Sequence, residues 1–181
     1  MLPDGTVKAL GKFKVEYRLS TLTFLAIITS SFSNNLLADQ LSFDDFKTKP
    51  MYNGVNHEFI ETDRASQWNN YRKAAAKQAV NFSGHYVLFT NGCGGGAICG
   101  EVIDVQKGKV VASLPNAYQM ETADGESFFN IDFKPNSRLL IITGTTADPE
   151  HGLQNEPLPY KDRTRYYTFE NNIFKLVKIA E

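Results

Sequence analysis

From Ser83 onward the chain is a succession of short runs rich in β-branched and aromatic residues, separated by turn signals, and this alternation restricts the fold more than any other feature. Ser83–Thr90 is apolar on both faces through Tyr86, Val87, Leu88 and Phe89, the pattern of a central strand. Glu101–Val105 and Lys109–Leu114 flank Lys107-Gly108 and read as a hairpin. Phe128–Phe133 and Arg138–Thr143 form a second, through Pro135-Asn136-Ser137. Arg165–Phe169 and Ile173–Val177 form a third, through Asn171-Asn172, whose residues tolerate the positive φ of a tight turn.

Upstream the periodicity is different. Ala65, Trp68, Tyr71, Ala75 and Ala79 recur at spacings of three and four, which predicts a helix over 62–80 with Arg64, Arg72, Lys73 and Lys77 facing out. Residues 39–61, broken by Pro50 and Gly54, read as an irregular lead-in with room for one short element. The fold class predicted is α+β: a mainly antiparallel, curved β-sheet of about seven strands in hairpins, barrel- or sandwich-like, with one main α-helix. A propeller-like meander fits the same pattern. The segment 145–162, rich in Pro, Asp, Glu and Asn, is long enough to predict a surface loop with a function.

Residues 1–38 have another character. Lys8, Lys12, Lys14 and Arg18 precede an apolar run of about ten residues from Leu19, and a polar stretch leads to Leu36-Leu37-Ala38. That order is a secretory signal peptide, cleaved after Ala38, and the run is well short of the roughly 20 residues of a permanent membrane span. The expected domains are therefore a signal peptide, 1–38, and one globular domain, 39–181. The alternative is an N-terminal amphipathic helix. The expected compartment is periplasmic or secreted. The domain carries 15 basic and 18 acidic residues, a balance that argues against a nucleic-acid binder relying on phosphate neutralisation.

The two cysteines, Cys93 and Cys99, lie in Asn91-Gly-Cys-Gly-Gly-Gly-Ala-Ile-Cys-Gly100. In an exported chain such a pair is expected to be oxidised, stiffening a loop that its glycines leave flexible. A redox-active pair has two intervening residues, against five here, and a zinc site lacks a second Cys or His pair. Immediately before the loop stands Asn81-Phe-Ser-Gly-His85-Tyr86. With the Gly-Cys-Gly, the second Cys and the Ile103-Asp104 that follow, this stretch resembles a group of uncharacterised exported proteins of Gram-negative bacteria. It departs from them in Asn91, where many have Trp, and in its longer spacer between the cysteines. The resemblance implies export and a disulfide, and no activity.

No catalytic residue, metal ligand or cofactor site is predicted. Ser83 lacks a nucleophile elbow, and the glycine run lacks the Gly-Lys-Ser/Thr ending of a phosphate loop. Asp148-Pro149-Glu150-His151-Gly152 matches no metal-loop spacing and reads as a solvated turn. His85 is expected either as a buried, hydrogen-bonded structural histidine or as the lining of a pocket at the strand end beside the disulfide loop, near Tyr86 and Asn91. The leading reading is a non-enzymatic exported binding protein, of inhibitor or immunity type, presenting Gly92–Gly100 (with Gly94, Gly95 and Gly96) and the 145–162 loop to a protein partner in the cell envelope. The alternative is a small enzyme or ligand-binding module with its pocket around His85 and the disulfide loop.

Overall fold

The computed structural model describes residues 41–64, 66–120 and 129–181. The signal peptide expected over 1–38 lies outside them. Phe43–Phe46 is a 3-10 turn with a capping box: the Ser42 hydroxyl accepts from the Asp44 amide and the Asp45 carboxylate accepts from the Ser42 amide. Helix α1 is Asn69–Ala76. Ten strands follow among the described residues, β1 Tyr86–Gly94, β2 Ala97–Asp104, β3 Lys109–Ser113, β4 Tyr118–Gln119, β5 Asn130–Phe133, β6 Leu139–Gly144, β7 Glu150–His151, β8 Pro157–Leu158, β9 Arg163–Glu170 and β10 Ile173–Ala180. One antiparallel sheet has the order β1-β2-β3, with β4 also paired to β2; a second runs β10-β9-β6-β5; β7 and β8 pair with each other. The two larger sheets are open and do not close into a barrel.

All three hairpins expected from the turn signals pair, β2 with β3, β5 with β6 and β9 with β10. Asn171 and Asn172 adopt φ of 52° and 63°, the left-handed pair that a two-residue hairpin turn requires. The helix is shorter than its periodicity. Asp63 and Ser66 accept backbone hydrogen bonds in successive turns, and the Asn69 side chain donates to the Asp63 carbonyl at 2.7 Å, so the chain before Asn69 winds as turns. At the other end the Asn56 amide donates to the carbonyls of Ala76 and Gln78, capping the last turn from outside the helix.

The expected helix face is also rotated. Ala75 is buried but Tyr71 and Ala79 are exposed, and Ala76 joins Ala75 against Val87, Ile103 and Val105. Arg72, expected in solvent, reaches Glu101 of β2 through two hydrogen bonds, Nε at 2.7 Å and Nη2 at 2.6 Å, and clamps the helix to the sheet. On the opposite face of the same sheet, Phe82, Leu88, Val102, Leu114 and Tyr118 share a core with Leu140, Ile142, Tyr167 and Phe169 of the second. A sheet covered on both sides explains why β1 is apolar on both faces.

Candidate functional site

The disulfide Cys93–Cys99 is present, and it sits in paired structure rather than in a loop. Strands β1 and β2 continue through the glycines: Asn91 faces Cys99, Gly92 faces Ile98, and Gly94 faces Ala97 after a bulge at Cys93. Gly95 and Gly96, at φ of 62° and 74°, close the hairpin in two residues. The expected loop Gly92–Gly100 is thus the stapled end of a β-hairpin. Glycine runs read as irregular structure in sequence, yet two adjacent left-handed residues are what the tightest hairpin turn demands. Among the described residues, a Cβ built on Gly92, Gly94, Gly95 or Gly96 meets nothing within 4 Å. Replacing both cysteines by serine is expected to cost about 2 kcal/mol by the loop-closure argument. At about 2–4 °C per kcal/mol, thermal unfolding then begins about 4–8 °C lower. An unchanged midpoint in the oxidised and serine forms contradicts the staple.

The 145–162 segment lies on the same side. Strand β4 borders the hairpin, with Ala97 facing Gln119 and Ile98 facing Tyr118, and the Met120 amide donates to the Gly96 carbonyl. On its other side β4 holds the segment: the Gln119 amide donates to the Thr145 carbonyl and the Ala147 amide to the Ala117 carbonyl. Tyr160 donates its hydroxyl to Gln119 Oε1 at 2.6 Å. The segment is therefore pinned, not a free loop, and it contains the β7–β8 pair. Its charged anchor is Glu150, only 7% exposed, where the sequence suggests a solvated turn. The carboxylate accepts from Arg163 Nη1 at 2.9 Å, from Arg165 Nη2 at 2.7 Å and from Arg165 Nε. Arg165 also donates to the carbonyls of Gly144 and Arg163. Burial alone pushes the Glu150 carboxyl up, but the two guanidiniums outweigh it and hold it below the ordinary carboxylate range. Around this rigid frame Met120 and Tyr160 are exposed, at 50% and 66%.

His85 and Tyr86 lie elsewhere. They sit at the opposite end of β1, about 30 Å from Gly95 at roughly 3.3 Å per residue, so among the described residues His85 does not lie beside the disulfide as expected. Asn91 lies in the stapled half of β1, away from both. His85 precedes the strand, its ring 3.9 Å from the Tyr86 ring and its Nε2 4.0 Å from the buried Asp104 Oδ2. Burial lowers the His85 pKa; Asp104 opposes the shift and Lys107 adds to it. Asp104 is held by Lys107 Nζ at 2.7 Å and the Gln106 amide at 3.0 Å, which satisfies it locally. The Tyr86 hydroxyl meets Asn172 Oδ1 at 3.2 Å while its ring packs edge-on against Phe169. His85, Tyr86, Ser83 and Thr48 line a cleft of about 310 Å³ with the Arg138–Glu170 ion pair. Ser83 has φ of 40°, but its amide donates to the Ser137 carbonyl, so the strained turn serves to tie β1 to the second sheet. Among the described residues no group of three or more His, Cys, Asp and Glu is placed to hold a metal.

No protein-family model matches the chain, and no curated protein and no solved structure matches it. The residues that sequence reasoning missed at the stapled end are Met120 and Tyr160. Neither belongs to a motif, and only their position beside β4 marks them.

Proposed function

We propose that this is an exported, non-enzymatic binding protein that docks a protein partner on the stapled hairpin end and the adjoining 145–162 segment. What carries the reading is the juxtaposition: two segments some fifty residues apart lie either side of β4, both held rigid, with Met120 and Tyr160 exposed between and beside them. Rigid presentation lowers the ordering cost of association, and exposed apolar side chains on a fixed frame favour protein contact. A sandwich of the two open sheets is the scaffold this reading uses. Export rests on the pattern of residues 1–38 and agrees with the disulfide, which persists in oxidising compartments. No helix among the described residues is long and apolar enough to cross a membrane. An inhibitor of an envelope enzyme and an immunity-type protein are the concrete forms of such a binder.

The test is affinity capture with the oxidised full-length chain as bait, from envelope and secreted fractions, comparing wild type with Gly92→Arg. Gly92 is the suitable position because its Cβ direction is open among the described residues and its φ lies outside the left-handed region, whereas Gly95 has a positive φ. The expected result is a partner recovered at least tenfold better on wild type, with the same thermal midpoint in both proteins. Equal recovery on the two baits overturns the assignment of this surface.

A further inference from the structure

We propose that the partner is taken up as an added β-strand: an extended, uncharged polypeptide segment pairing with the open edge of β1 at Thr90–Gly92, with an apolar side chain beside Phe89. This deepens the function proposed above and rests on it.

Strand β1 is the outer strand of its sheet, and its two halves are treated differently. The first half is closed by the chain itself. Phe82 forms a bridge with Tyr86, and Asn81 lies along Leu88 like a short piece of strand: its Oδ1 accepts from the Leu88 amide at 2.8 Å and its Nδ2 donates to the Leu88 carbonyl at 2.9 Å. Leu88 therefore turns both backbone groups away from β2. In an antiparallel ladder that orientation repeats every second residue, so Thr90 and Gly92, which keep the same register with β2, point their N–H and C=O outward as well. Both residues are exposed, and among the described residues nothing bonds these groups.

Natural sheet edges are shielded from strand addition by charge, proline or irregularity. The other outer strands here follow that rule: β10 carries Lys175 and Lys178, β5 carries Asp132 and β3 carries Lys109. From Thr90 to Gly92 the open half of β1 has neither charge nor proline and keeps a regular register with β2, the bulge at Cys93 lying just beyond its two outward-facing residues. The disulfide staples the hairpin immediately beyond it and keeps it paired with β2, so the template is formed before the partner arrives. On the helix side the edge starts at a half-buried Phe89, whose ring lies 6.1 Å from Trp68, and Trp68 meets the exposed Tyr71 edge-on at 6.2 Å. An incoming strand places every second side chain on that side, next to this aromatic group. Main-chain hydrogen bonds then supply affinity and the aromatic neighbour supplies selectivity, as in β-augmentation.

The experiment is selection of a display library of random dodecapeptides on the oxidised full-length chain, followed by binding of the selected peptides to variants. Selected peptides are expected to be uncharged with alternating apolar residues. They should bind wild type and Thr90→Val alike, lose at least tenfold on Thr90→Pro, and slow amide exchange at Thr90 and Gly92. Thr90→Pro removes one outward N–H at an edge position that accommodates proline. If its circular dichroism departs from wild type, Gly92→Pro removes the next one. No enriched peptide, or peptides that bind Thr90→Pro as well as wild type, overturns strand addition. A partner lost with Gly92→Arg but kept with Thr90→Pro also overturns it while leaving the proposed function intact; a partner indifferent to both variants removes both. A concentration-dependent dimer in sedimentation that Thr90→Pro abolishes makes the occupant a second copy of this chain and overturns the partner assigned here.

Discussion

Glu150→Gln is expected to destabilise the protein at pH 7 by about 3–5 kcal/mol, the cost of removing one member of a buried ion pair. The substitution keeps the shape of the side chain but leaves the guanidiniums of Arg163 and Arg165, both buried, without their shared carboxylate. At about 2–4 °C per kcal/mol for a domain of this size, the thermal midpoint falls by roughly 10 °C. The pH dependence has a definite sign. The folded-state pKa of Glu150 is below its unfolded value, so its stabilisation is complete above the ordinary carboxylate pKa of about 4.3 and is lost as pH falls through the lower folded value. The stability curves of wild type and the Glu150→Gln variant therefore separate fully at neutral pH and converge in acid. Thermal unfolding of both proteins from pH 3 to 8 measures this, and parallel curves across that range contradict the pairing. Because Glu150 anchors the 145–162 segment beside β4, the same variant should also raise amide exchange at Ala147 and Gly152.

Phe82→Ala is expected to cost about 3–5 kcal/mol, the range for emptying a fully buried aromatic site. Phe82 is completely buried between the sheets, with ring centroids of Phe169, Phe133 and Phe174 at 5.3, 6.1 and 6.1 Å. It stands on a tight turn, not in a strand, and its neighbours Ser83 and Gly84 donate their amides to the carbonyls of Ser137 and Pro135. The residue thus joins the start of β1 to the β5–β6 turn, and a cavity there loosens both sheets together. Chemical denaturation monitored by circular dichroism gives the magnitude. A loss below about 1 kcal/mol places Phe82 outside the core, since the lower end of the aromatic-to-alanine range is well above that.

Strand pairing was legible in the sequence wherever it was local. The Asn171-Asn172 turn, the Lys107-Gly108 turn and the period-two runs around them set their own registers within a few residues, and the structure pairs them as expected. Local rules misread the structure where a distant group decides. The helix periodicity begins at 62, before the turns that Asn69 ties to Asp63, and the partner that draws Arg72 onto the sheet, Glu101, lies 29 residues away. The glycines after Asn91 signalled flexibility, while β2 and the disulfide hold them in a hairpin.

The candidate site divides along the same line. Cys93 and Cys99 are six residues apart, and their spacing in a chain with an export-like N-terminus was enough to expect the bond. That His85 and the disulfide occupy opposite ends of one strand, that Met120 and Tyr160 border the hairpin, and that Asn81 shields half of the β1 edge and leaves Thr90 and Gly92 open are facts of tertiary structure. The strand runs, their turns and the cysteine pair are local properties of the chain, because they depend on side-chain alternation and backbone preferences over a few residues. The burial of Asp104 and Glu150, the closed half of the β1 edge and the neighbours of each segment are set by the tertiary fold. Those outcomes depend on desolvation and hydrogen-bond partners supplied by residues remote in the chain, for which no local pattern exists.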